Sequence, residues 1–97
     1  MDIRLIKISP ATVKNKRYTA HFLLANDKIK KVHFGSDKHE NFSIHGDEDR
    51  KASYLKRHAK NEDWGNPLTA GSLSRYILWN KTTLHASIKD FKKRFGI

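Results

Sequence analysis

Lys16-Arg17-Tyr18-Thr19-Ala20-His21-Phe22-Leu23-Leu24 is the stretch that decides the fold. Tyr18, Ala20, Phe22 and Leu24 recur at every second position, and Arg17, Thr19 and His21 lie between them. A period of two marks a strand buried on one face only. Downstream, Asn26-Asp27-Lys28 leads into Ile29 to Phe34, where Val32 and Phe34 share a face opposite Lys31 and His33. Asn and Asp both tolerate positive φ, so the pair suits a tight hairpin. Matching the apolar faces predicts Phe22 beside Val32 and His21 beside His33. The solvent face of the hairpin then carries Arg17, His21, Lys31 and His33. Upstream, Ile3 to Ile8 is β-branched and apolar, a further strand that Ser9-Pro10 is expected to end.

Beyond the hairpin the pattern changes. Gly35 to Gly46 is polar apart from Phe42 and Ile44 and reads as a loop or arm, with room for a short edge strand, that could also reach onto a partner. Asp47 then N-caps a helix running to about Asn61, with Glu48 and Asp49 at its positive end and Lys56, Arg57, His58 and Lys60 at its negative end. Ala52, Leu55 and Ala59 form its thin apolar stripe. Asn66-Pro67 reads as N-cap and first turn of a second helix containing Leu73, Tyr76 and Ile77, with Gly71 allowing a close approach. Thr82 or Thr83 caps a third helix, where Leu84, Ile88, Phe91 and Phe95 recur at helical spacing before Gly96. Strands followed by helices argue for an α+β fold: a small antiparallel sheet of about three strands packed on about three helices, in one domain spanning residues 1–97.

The charge bounds the partner class. Twenty Lys and Arg stand against 10 Asp and Glu, a formal +10 on 97 residues. Split after Gly46, the first part has nine basic and four acidic residues and the second eleven and six, so each is +5. Basicity spread over a folding chain points to a polyanion, most often nucleic acid. Without Cys no disulfide or thiolate metal site forms. The start Met1-Asp2-Ile3-Arg4 lacks the order of a signal peptide, and no apolar run approaches a membrane span. The expectation is a soluble protein with no transmembrane segment, from a reducing compartment or a particle packed there.

Clustering ranks the candidate phosphate contacts. Lys14, Lys16, Arg17 and Lys31 belong to the sheet; Lys51, Lys56, Arg57 and Lys60 follow the first long helix; Lys89, Lys92, Lys93 and Arg94 lie on the last. Phosphate binding needs only cations and donors on a rigid surface, so the pattern says nothing about base reading. Six His residues include the neighbours His21 and His33, but no set of four ligands has zinc spacing, and no cofactor is expected. A metal-dependent nuclease would need His45, Asp47 and Asp49 to converge, whereas consecutive helical residues point apart and capping accounts for the acids. Trp64, Tyr76 and Trp79 could stack on bases, and core packing is the simpler expectation.

Several segments resemble a family of small basic uncharacterised proteins encoded by large nucleocytoplasmic DNA viruses, of the phycodnavirus and marseillevirus kind. They are Lys16 to Ala20, Lys30 to Gly35, Asp49 to His58, Glu62 to Pro67, Thr69 to Lys81 and Ser87 to Phe95. The run ending in Leu78-Trp79-Asn80-Lys81 is the most specific part. The chain departs from the family pattern at Asp37 or Lys38, where Gly is common, and at Thr82 or Thr83, where Pro is common. The resemblance carries no catalytic residue. It implies a protein of the virion, and of the host cytoplasm during infection. The implied activity is non-enzymatic binding and packaging of nucleic acid, DNA before RNA, without sequence preference. A homodimer would double the basic face. The alternative is a minor virion protein bound to an acidic protein or a membrane surface.

Overall fold

β2 (Lys16–Leu23) is the middle strand of a three-stranded antiparallel sheet, flanked by β1 (Arg4–Pro10) and β3 (Ile29–Ser36). The computed structural model describes residues 3–97, so the Met1-Asp2 start lies outside it. The helices follow: α1 (Phe42–His45), α2 (Glu48–His58), α3 (Ala70–Leu73), a π-helical segment (Ser74–Leu78) that continues α3, and α4 (Leu84–Phe95). The fold is α+β, as expected, with α1 additional to the three expected helices.

One apolar core joins sheet and helices. Ala20, Phe22 and Phe34 on the inner sheet face meet Leu73, Ile77 and Leu78 from α3 and its π-helical continuation, and Phe91 from α4. Tyr18, Leu24 and Val32 pack around them, so the alternation in β2 and β3 assigns the faces correctly. The register differs from the expected one. Ala20, not Phe22, faces Val32; Phe22 faces Lys30; and His21 faces Lys31, with His33 opposite Thr19. The cause is the hairpin loop. Asp27 N–H donates to Leu24 O and Leu24 N–H to Lys28 O, which closes a three-residue loop around Asn26. Only Asp27 takes a positive φ, 64°.

β1 runs on through Ser9 and Pro10, which pair with Thr19 and Tyr18. Proline is tolerated there because β1 is an edge strand and Pro10 its last residue. A bulge interrupts the ladder between Leu5 and Lys7. Leu5 and Ile8 both turn to the core although they are three apart, and Ile6 is 49% exposed. The extra residue rotates Lys7 onto the outer face, opposite His21.

The helices correct four further expectations. The segment before Gly46 is no free arm: Asn41 caps α1 by accepting from Ser43 N–H, and Phe42 is only 3% exposed. α2 is capped by Asp47 as expected but ends at His58, and it buries Tyr54 rather than Ala52 and Ala59, which are exposed. The Tyr54 ring finds a better partner than a methyl group, stacking on Trp79 with centroids 4.3 Å apart and planes at 4°. Asn66 caps a turn by accepting from Leu68 N–H, and Thr69 is the N-cap of α3. Thr83 caps α4, and Gly96 closes it in the left-handed region.

Asn80 ties these helices together. Its side-chain amide donates to Tyr76 O at 3.1 Å and to Asp90 Oδ2 at 2.7 Å, and its main-chain carbonyl accepts from Lys51 Nζ at 2.8 Å. Burial would raise the Asp90 carboxyl, but the Asn80 hydrogen bond and the Arg94 charge hold it below the ordinary range.

Candidate nucleic-acid interface

The helices of the core pack on one side of the sheet, and among the described residues no core helix lies over the other side. Its residues follow from the register. Ser9, Thr19 and His33 form one row across the three strands, and Lys7, His21 and Lys31 form the next. Arg17 continues the face at one end; Arg4, Leu23 and Ile29 continue it at the other. The strands contain six Lys or Arg and no Asp or Glu. Neither ion pair among the described residues, His58–Glu62 and Arg94–Asp90, involves the sheet.

The two histidines are held in place. His21 Nε2 and Ser9 Oγ are hydrogen-bonded at 3.0 Å, and His33 Nδ1 and Thr19 Oγ1 at 2.7 Å. A hydroxyl both donates and accepts, so each bond survives protonation of the ring. Thr19 is 4% exposed although it lies on the outer face, so its neighbours close over it. His21 sits below the ordinary imidazole range. Burial is the main cause, followed by the charges of Lys7, Lys31 and His33.

A family model described as "Family of unknown function (DUF5754)" matches residues 6–58, more than half of the chain. The chain belongs to DUF5754. No curated protein and no solved structure matches it. The part of this DUF5754 protein that the family model covers holds the whole sheet from Ile6 onward, α1 and α2. Every polar residue of the outer face except Arg4 lies within it.

The twelve residues ranked from sequence do not form one surface. Arg17 and Lys31 are on the open face, and Lys14 and Lys16 flank the β1–β2 turn at its edge. Arg17 is partly engaged, donating from Nη2 to His39 O at 2.8 Å. Lys51 is not available to a phosphate: its Nζ is committed to Asn80 O and lies 4.6 Å from the centre of the Phe42 ring. Lys56, Arg57 and Lys60 are exposed on α2 and just after it. Lys89, Lys92, Lys93 and Arg94 are exposed on α4, whose inner residue Phe91 meets the opposite side of the sheet. Arg94 also pairs with Asp90 and lies over the Tyr76 ring. Sequence reasoning missed Lys7 and Arg4, because their place depends on β1 pairing and on the bulge. Asp47 accepts from the N–H groups of Asp49 and Arg50, and His45 Nδ1 accepts from Asp47 N–H. Among the described residues, no three His, Asp or Glu side chains lie close enough to share an ion. No helix among them is long and apolar enough to cross a membrane.

Proposed function

We propose that the protein binds nucleic acid without sequence preference, DNA before RNA, through the open sheet face, and that it catalyses no reaction. The observation that supports this reading is the Lys7–His21–Lys31 row on a sheet face whose strands contain no carboxylate. Lys7 and Lys31 sit two strand spacings apart, about 10 Å. Lysine side chains are long and flexible, so the pair can straddle a groove about 12 Å wide and meet a phosphate on each side. The face carries no Phe, Tyr or Trp, which favours backbone contact over base stacking. The resemblance to proteins of large DNA viruses supports packaging inside a viral particle as the setting, and a second copy would raise avidity on a long polymer.

The test is binding to a random duplex and a matched RNA across a salt series. Micromolar binding that collapses as salt rises is expected. No binding at low salt overturns the reading. A second reading, a structural protein bound to an acidic protein or membrane surface, is favoured by one feature: Ile6 and Ile29, 49% and 51% exposed, sit with Leu23 at one end of the face. Binding to anionic vesicles but not to DNA would select it.

Protonation of His21 gives a pH signature. In the free protein its lowered value means that the folded state binds fewer protons than the unfolded chain. Stability therefore falls as pH drops from about 6.5 through the lowered folded value. Docked phosphates cancel the repulsion from Lys7 and Lys31, so the complex takes up a proton over the same window. Affinity for DNA is expected to be about fivefold higher at about pH 5.5 than at pH 7.5, and His21→Gln is expected to flatten most of that rise. An equal rise in His21→Gln would assign the effect to other groups.

A further inference from the structure

A cleft of about 860 Å³ opens between the end of the β2–β3 hairpin, α2 and the α3 region. Its size suits one small ligand. Two features shape its inner surface. Gly71 has no side chain, and a Cβ there would lie 1.8 Å from Glu62 Oε2. The missing methyl lets the Glu62 carboxylate lie directly on α3 inside the cleft, 3.7 Å from His58 Nδ1. Tyr54 is clamped between His58, with ring centroids 4.3 Å apart, and Trp79, which gives a rigid aromatic wall. Its hydroxyl is pushed up to about 12, first by burial and then by Glu62, so it stays neutral and free to donate.

The charges define the ligand. Lys16 approaches from the sheet, and Arg50 and Arg57 from one face of α2, two turns apart. Arg57 Nε donates to Ser53 O at 3.4 Å, which leaves its two outer nitrogens for an anion. Glu40, Asp49 and Glu62 balance these cations. A balanced cleft disfavours a polyanion. It suits a molecule with an anionic group at one end and a flat, donor-bearing ring at the other. We propose that the cleft binds one nucleoside monophosphate unit, with the phosphate between Lys16 and the α2 arginines. The base lies against the Tyr54–Trp79 wall with its amino group donating to Glu62. The site is separate from the sheet face and does not rest on the reading of that face.

The experiment is a titration of the full chain with adenosine and cytidine 5′-monophosphates, followed by the two Trp indole resonances. Trp79 lines the cleft and Trp64 does not. Saturable movement of Trp79 alone, with Kd on the order of 0.1 mM, is expected. Arg57→Ala, a change at an exposed position, should weaken binding about tenfold with melting unchanged, as expected for loss of one charge-assisted contact. Lys7→Glu with Lys31→Glu should leave it unchanged. A 5′-phosphorylated dinucleotide that binds more tightly than the free nucleotide identifies a strand end as the source; equal affinity identifies the free nucleotide. The proposal is overturned if Trp79 does not move, if inorganic phosphate or the unphosphorylated nucleoside moves it with equal affinity, or if Arg57→Ala binds like the parent chain.

Discussion

The double variant Lys7→Glu, Lys31→Glu is expected to bind duplex DNA about 100-fold more weakly than the parent chain at about 50 mM salt, with its melting temperature unchanged. Each lysine that neutralises a phosphate releases a counterion and adds about 0.9 to the salt slope. Two lost contacts therefore flatten the slope by about 2 and remove about tenfold each at low salt. Both residues are exposed, so the fold should hold. The control is Lys89→Glu, Lys93→Glu on α4, which makes the same change in net charge on the helix whose Phe91 packs against the other side of the sheet. If binding is a property of the open face, the control loses only the small long-range part of the attraction, which salt screens over about 10 Å. If both pairs lose equally, total charge governs binding and the sheet face has no special role.

That comparison rests on residues of unequal legibility. The inner face of β2 was readable because one-sided burial leaves a period of two in the sequence, and Tyr18, Ala20, Phe22 and Leu24 show it. The same alternation placed Arg17, His21, Lys31 and His33 outside, where the structure has them. Register was not readable. A three-residue loop centred on Asp27 suits the sequence as well as the one centred on Asn26 that forms, and the choice slides every pair by two while keeping each face. Lys7 was hidden for a different reason. Nothing in Leu5-Ile6-Lys7 announces a bulge, and without one Lys7 would point to the core.

In the helical half, local rules worked where the partner was backbone and failed where it was a side chain far away in sequence. Asp47, Gly96 and the pair Thr82-Thr83, of which Thr83 is the cap, were identified because capping is satisfied within a few residues. The buried face of α2 depends on Trp79, and Lys51 depends on Asn80. The cleft draws on Lys16, α2, Glu62 and Gly71, so it has no periodic signature at all.

Gly35→Ala is expected to destabilise the protein by about 3 kcal/mol, lowering its melting temperature by on the order of 15 °C. Two effects add. Gly35 has φ of +80°, where a residue with a Cβ is strained by about 1–2 kcal/mol. A Cβ at this position would also lie 2.6 Å from Leu78 Cδ1 and 3.3 Å from Arg17 Cβ. Leu78 is 2% exposed, so displacing it disturbs the core, at about 1–3 kcal/mol. Gly96→Ala separates the two effects. Its φ is +67° and nothing lies within 4 Å of the added methyl, so only the backbone strain applies, about 1 kcal/mol. The difference between the two variants, read from denaturant midpoints, measures how tightly β3 is pressed on the π-helical segment. That contact sets one wall of the cleft and holds the end of the sheet away from the β2–β3 loop. Equal losses would mean that Leu78 yields freely and that the close approach is not what selects glycine.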